Sequence, residues 1–291
     1  MFYLSSVTLL WAFSFSLIGV YLAGQVDAWF SVLMRVGLAG IVFLPFIKIK
    51  GVPSKLIMQL MTLGGFQLGL MYCFYYQSFL LLSVPEVLLF TVMTPIYVTL
   101  LYDLVHKRFS AWYLLTALIA VAGAVLIKYE GINEQFILGF AVVQCANLCF
   151  AIGQVGYKVV MENQPHDLKQ HTVFGYFYLG ALIVASIAFS IFGNLDNLPT
   201  TSTQWGILVY LGTIASGLGY FLWNRGACQV NAGALAVMNN ALIPCGLVVN
   251  ILIWNQQADV LRLFIGASVI MASLWFNEKW VKAKIQKKYT N

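Results

Sequence analysis

The sequence predicts an all-α integral membrane protein with ten transmembrane helices in two inverted five-helix repeats around a central cavity. Composition is the first observation: 61% of residues are hydrophobic and 9% charged, with a mean hydropathy of +0.84, where a soluble domain carries about 25% charged residues. Ten apolar stretches are the second, each near the roughly 20 residues needed to cross a bilayer. The third is charge placement. Of sixteen basic residues, thirteen (Lys48, Lys50, Lys55, Lys107, Arg108, Lys158, Lys169, Arg225, Lys279, Lys282, Lys284, Lys287 and Lys288) fall on one set of alternate loops. Lys128 and Arg262 fall on the other, and Arg35 lies within a stretch. This asymmetry is the positive-inside pattern, and an even number of spans puts both termini on the cytoplasmic side.

The first stretch, 3 to 23, has no basic segment before it and is too long for a signal-peptide core, so it is expected to stay in the mature chain. The second, 29 to 47, carries Arg35, and the third, 56 to 80, carries Gly65, Gly69, Tyr72, Tyr75 and Tyr76. The fourth, 84 to 104, opens on Ser83-Val84-Pro85-Glu86 and holds Pro95. The fifth runs from 110 to 128. The sixth, 136 to 157, holds Asn147, Gln154 and Tyr157. The seventh and eighth, 172 to 192 and 204 to 224, flank a short loop. The ninth, 232 to 254, holds Asn239, Asn240 and Pro244. The tenth, 260 to 277, leads into the basic tail 279–291, which suits anionic lipid headgroups.

The chain repeats itself. Gly69-Leu70-Met71-Tyr72 matches Gly217-Leu218-Gly219-Tyr220, and Pro95 matches Pro244, both about 149 residues apart. The halves are therefore 1–130 and 131–278. Five spans per half make the second copy enter from the opposite face, as in secondary transporters that hold substrate near the midplane. Gly65 and Gly69, echoed by Thr213 and Gly217, have the small-residue spacing that lets helices approach closely. Pro95 and Pro244 each remove a mid-span hydrogen bond, which makes them kinks and candidate hinges.

Polar residues in the spans are the candidate site. Arg35 costs about 2.5–3.5 kcal/mol at a helix centre on the insertion scale; it either binds a substrate carboxylate or serves a structural role. Trp11 and Asn147 share a mid-membrane depth when the first and sixth spans are aligned, far from the interfaces where Trp29, Trp112, Trp205, Trp254 and Trp275 fall. Trp11 is either core or a wall for stacking a ring. Asn239 and Asn240, with Gln154, Tyr157, Tyr72, Tyr75 and Tyr76, add hydrogen-bonding tips suited to a small polar organic molecule. Glu86 reads either as a capping-box residue or as a proton-coupling carboxylate.

Other chemistries are disfavoured. His106, His166 and His171 all map to loops, so no catalytic residue is assigned and the chain is not read as an enzyme. Cys145 and Cys149 share a helix face, but no further ligand lies near in sequence, so no metal or cofactor is expected. The five cysteines read as small hydrophobes. No Gly-x-x-x-x-Gly-Lys-Ser/Thr loop is present for ATP hydrolysis. No segment outside the spans is long enough to make a basic nucleic-acid face or recruit an obligate protein partner.

Trp11 with its following small and aromatic residues, Arg35 before Gly37-Leu38-Ala39, Pro95 and Gly123 together resemble the EamA type of the drug/metabolite transporter superfamily, over nearly the whole chain. The runs Trp11-Ala12-Phe13-Ser14-Phe15-Ser16, Tyr21-Leu22-Ala23-Gly24-Gln25-Val26-Asp27 and Val237-Met238-Asn239-Asn240 resemble its biotin transporters. The resemblance implies a multi-pass protein of the bacterial inner membrane that takes up biotin by alternating access. An exporter of amino acids or related metabolites is the alternative on the same fold. On the biotin reading, Asn147, Asn239 and Asn240 address the ureido group, Trp11 and Tyr72 line the ring, and Arg35 attracts the carboxylate. Relatives often carry a glutamate after the fourth and ninth spans, where this chain has Leu104-Val105-His106-Lys107 and Ile253-Trp254-Asn255-Gln256, so no coupling role carries over.

Overall fold

Almost every described residue lies in a helix. The computed structural model describes residues 1–107, 109, 111–125, 134–165, 168–254 and 260–281. Arg108, Lys128, His166, the Arg262 side chain and the tail beyond Val281 lie outside the described residues. The helices are α1 (Phe2–Tyr21), α2 (Ala28–Phe43), α3 (Ser54–Ser78), α4 (Val84–Val105), α5 (Ala111–Val125), α6 (Glu134–Glu162), α7 (Gln170–Phe192), α8 (Ser202–Ala227), α9 (Ala232–Trp254) and α10 (Val260–Phe276). Eight of them, all but α5 and α10, are long and apolar enough to cross a membrane; α5 is a shorter apolar helix.

Local chemistry sets the helix starts. Asp27 caps α2 by accepting from the Phe30 N–H at 2.7 Å, and Thr201 with Gln204 forms a reciprocal capping box on α8. Asn231 caps α9 through the Ala234 N–H at 2.8 Å. Glu86 turns back onto Ser83, accepting from its N–H at 2.7 Å and its hydroxyl at 2.6 Å. Its carboxylate is thus engaged at the helix start. Gly24 (φ +71°) and Gly51 (φ +77°) take the left-handed turns before α2 and α3.

Three of the long helices are interrupted. α3 widens to π geometry over Gly65–Leu70 and α8 over Leu211–Leu218. α4 tightens to a 3₁₀ turn over Thr91–Met93, and Pro95 follows at the start of the resumed helix. Pro244 is carried inside a helix that continues to Trp254. Such breaks strand carbonyls, and donors from other helices reach them. Trp11 Nε1 donates to Ala215 O at 2.8 Å and Tyr178 OH to Gly217 O at 2.6 Å. Asn147 Nδ2 reaches Phe90 O at 2.8 Å, and Asn240 Nδ2 reaches Val92 O at 3.3 Å.

Helices pack across the two halves of the chain. α1 lies against α8 and α9, α6 against α3 and α4, α2 against α7 and α8, α3 against α7, and α5 against α10. At the α3–α7 crossing the backbones nearly touch: a Cβ on Gly64 would overlap Phe177 O, and one on Gly180 would overlap Met61 O. Gly69 faces Val184 there, as the small-residue spacing predicts, while on α8 the close approach to Leu38 of α2 is made by Gly212. The outer surface is apolar, with Leu9, Ile41, Ile183, Leu252 and Phe264 exposed, and the buried polar groups lie inside. That inversion suits a lipid solvent. All five cysteines are free.

Helix ends meet in two sets. Lys48, in the loop after α2, donates its N–H to Thr172 O of α7, and Arg225 at the end of α8 lies 5.2 Å from the Tyr3 ring of α1. Lys158 of α6 donates to Val230 O and pairs with Glu162, both at 2.9 Å, and Glu162 lies 3.9 Å from His106, just past the end of α4. At the opposite set of ends, Asp27 and Gln25 meet Asn194, Asn197 and Gln204.

Candidate substrate cavity

Between α1, α2, α3, α4, α6, α8 and α9 lies a cavity of about 720 Å³, a figure that includes its mouth. Of the residues singled out by sequence, Trp11, Arg35, Tyr72, Tyr75, Tyr76, Asn147 and Asn239 line it together. Tyr157 does not; it is fully buried against Phe174 and Phe177 of α7, its hydroxyl 3.4 Å from Gln170 Oε1. Asn240 does not line it either, being wholly buried with its NH₂ on Val92 O. Pro95 and Pro244 also lie outside the lining.

One wall is aromatic. Trp11 sits with ring centroids 4.7 Å from Tyr220, 5.0 Å from Trp223 and 5.9 Å from Phe150. The Ala215 bond fixes the indole edge and leaves the ring body as a packing surface. Trp11 thus ties α1 to the interrupted α8 and still has a surface to offer.

Another wall is cationic. Arg35 is 3% exposed, and it donates to Ser216 Oγ at 3.1 Å, Tyr72 OH at 2.8 Å and Tyr76 OH at 3.5 Å. Its guanidinium carbon lies 4.1 Å from the Tyr72 ring centroid. These hydroxyls and ring faces stabilise the cation without neutralising it. No carboxylate forms an ion pair with Arg35 among the described residues. Three of the five guanidinium N–H groups are engaged, which leaves two for an anion.

The third wall is built from amides, held by Phe90 O, Leu235 O and the chain Trp223–Gln154–Asn239. Sequence reading missed Trp223, Tyr220, Phe150 and Ser216 as lining or anchoring residues. The available signal for Tyr220 was its place opposite Tyr72 in the repeat; Trp223 was hidden near the end of its apolar stretch. Among the described residues no group of three or more His, Cys, Asp or Glu could hold a metal ion.

Comparison with known proteins places this architecture. The EamA-like transporter family matches residues 1–129 and 137–278. A biotin transporter of Salmonella typhimurium is 52% identical over 275 residues, covering 94% of this chain and 91% of that protein. A probable biotin transporter of Pseudomonas aeruginosa is 53% identical over 275 residues, covering 94% and 96%. A solved crystal structure of a protein superposes with a TM-score of 0.73 over 94% of this chain and 95% of that one; at 17% identity it shows the fold alone. The chain is a multi-pass membrane protein, a transporter and not an enzyme, and it belongs to the EamA-like transporter family.

Proposed function

We propose that this protein imports biotin across the bacterial inner membrane by alternating access. The observation that carries the reading is the cavity itself: an aromatic wall, an amide wall and a buried arginine without a carboxylate partner among the described residues. Biotin has a fused apolar bicycle, a ureido group and a carboxylate, one feature for each wall. The names of relatives at 52–53% identity agree with it. Trp11 and Tyr72 line the ring, Asn147 and Asn239 address the ureido group, and Arg35 holds the carboxylate. Asn240 and Tyr157 support the cavity from behind.

The architecture we infer is ten transmembrane helices in inverted repeats, 1–130 and 131–278, with the tail 279–291 and both termini cytoplasmic. Its support is the reciprocity of the packing: α1 with α8 and α9 is mirrored by α6 with α3 and α4, and α2 with α8 by α7 with α3. The matched π segments of α3 and α8 add to it. Pro95 and Pro244 are the hinges of this scheme.

Uptake of labelled biotin by a bacterial strain lacking its own biotin transport tests the function. Rescue by the wild-type gene, lost in Trp11→Ala, is expected. No rescue, together with raised tolerance to a toxic amino-acid analogue on overexpression, would establish the exporter instead.

A further inference from the structure

The amides of the cavity are wired so that their polarity is fixed. Trp223 Nε1 can only donate, and it points at the Gln154 side chain at 2.9 Å, so Gln154 must turn its oxygen there. Its NH₂ then faces Asn239, 3.4 Å away, which must answer with Oδ1. Asn239 Nδ2 is turned to Leu235 O at 2.7 Å, a group that only accepts. Both constraints select the same orientation, independently of how amide nitrogen and oxygen are assigned. Asn147 is set in the same way: its NH₂ donates to Phe90 O at 2.8 Å and Gln144 Oε1 at 3.2 Å. Asn147 Oδ1 accepts from no protein donor among the described residues.

We propose that Gln154 and Trp223 are positioning residues that fix which way the Asn239 amide faces, so that the amide wall offers Asn147 Oδ1 and Asn239 Oδ1 as acceptors and the cavity selects cargo carrying two N–H donors at the end away from its anionic group. This rests on the biotin reading and deepens it. A cyclic urea presents two N–H groups to Asn147 Oδ1 and Asn239 Oδ1, while the spare N–H groups of Arg35 take the carboxylate. A ring carrying oxygen or N-methyl in place of N–H would set a lone pair or a methyl against an amide oxygen. Rejecting an analogue that leaves a buried polar group unpaired is where binding sites discriminate most sharply.

The test is competition against uptake of labelled biotin in the transport-deficient strain. Unlabelled desthiobiotin keeps both ureido N–H groups and lacks the sulfur ring; biotin methylated on the ureido nitrogens keeps the ring and lacks the donors. For the wild type, desthiobiotin should compete within about threefold of biotin and the methylated compound at least about 30-fold more weakly. Gln154→Leu, which unlocks one side of Asn239, should raise KM about fivefold with little change in Vmax and narrow the gap between biotin and its methylated form. Trp223→Phe, which frees Gln154 to turn, should narrow it too, and serves if the leucine variant fails to reach the membrane. Equal competition by methylated biotin, failure of desthiobiotin to compete, or an unchanged gap in variants present at normal level would overturn the wiring. Absence of biotin uptake by the wild-type protein would instead remove the cargo, a result separable from all three.

Discussion

Replacing Arg35 by Gln removes the cavity's charge while leaving most of its walls in place. The Tyr72–Ser216 hydroxyl bond of 2.8 Å does not depend on the guanidinium, and a neutral side chain at a 3%-exposed site needs no solvation of charge. Variant protein should therefore reach the membrane at near wild-type level. On the proposed function, what is lost is a charge-assisted contact to the cargo carboxylate, worth about 1.5–3 kcal/mol. At 1.4 kcal/mol per factor of ten, KM for biotin should rise about 10- to 150-fold. Biotin amide, which has no anion, should be carried by the wild type with a similarly raised KM and by Arg35→Gln with little further change. The ratio of the two KM values is the decisive reading, because general damage moves both alike. Arg35→Lys keeps the charge and loses the fork, so it should fall between. Should Arg35→Gln keep the wild-type preference for biotin over its amide, the guanidinium does not meet the carboxylate and serves only to tie Tyr72, Tyr76 and Ser216 together.

Asn240→Leu leaves Val92 O without its donor; it should lower Vmax or membrane level while KM for biotin stays near wild type, whereas Asn239→Leu should raise KM, and saturation curves for the two separate these roles. Gly64→Ala and Gly180→Ala place a Cβ against a backbone carbonyl at the α3–α7 crossing, so both should lower the midpoint of thermal unfolding in detergent by several degrees; Gly206→Ala, with open space around it, is the neutral control. Trp11→Phe keeps an aromatic wall and strands Ala215 O, which should cost about 1–3 kcal/mol of stability and raise KM less than Trp11→Ala does. Lys158→Met removes the donor to Val230 O and the partner of Glu162; a cysteine reporter near Val230 should become more reactive to a water-soluble thiol reagent, and unchanged labelling would mean that these two contacts do not hold the α6 and α9 ends together.

Helix positions were legible because lipid imposes a simple rule: long apolar runs with charge kept at the ends. Trp11, Arg35, Tyr72, Asn147 and Asn239 stood out for the same reason, as polar or amphipathic groups where apolar ones are expected. What single-sequence reading could not separate was Asn239 from Asn240. Adjacent helical residues point about 100° apart, and only the packed neighbours decide that one reaches the cavity while the other reaches Val92 O. Tyr157 failed to reach the lining for a similar reason, since α7 supplies Phe174 and Phe177 to cover it. The 3₁₀ turn in α4 was signalled by Pro95, but the π segments in α3 and α8 left no mark beyond their glycines.

If Arg35 holds the cargo carboxylate as proposed, its guanidinium, which pairs with no carboxylate among the described residues, also sets which half of the proposed transport cycle is electrically loud. With a monoanion seated beside it the occupied protein carries no net charge at that depth, so reorienting with cargo does little work against the membrane voltage. Once the anion has left, the vacant protein returns with its cation uncovered, against about 2.3 kcal/mol per 100 mV for a full crossing of the field. Clamping vesicles at different voltages should therefore alter the speed of the return stroke and leave exchange of bound for free biotin nearly untouched.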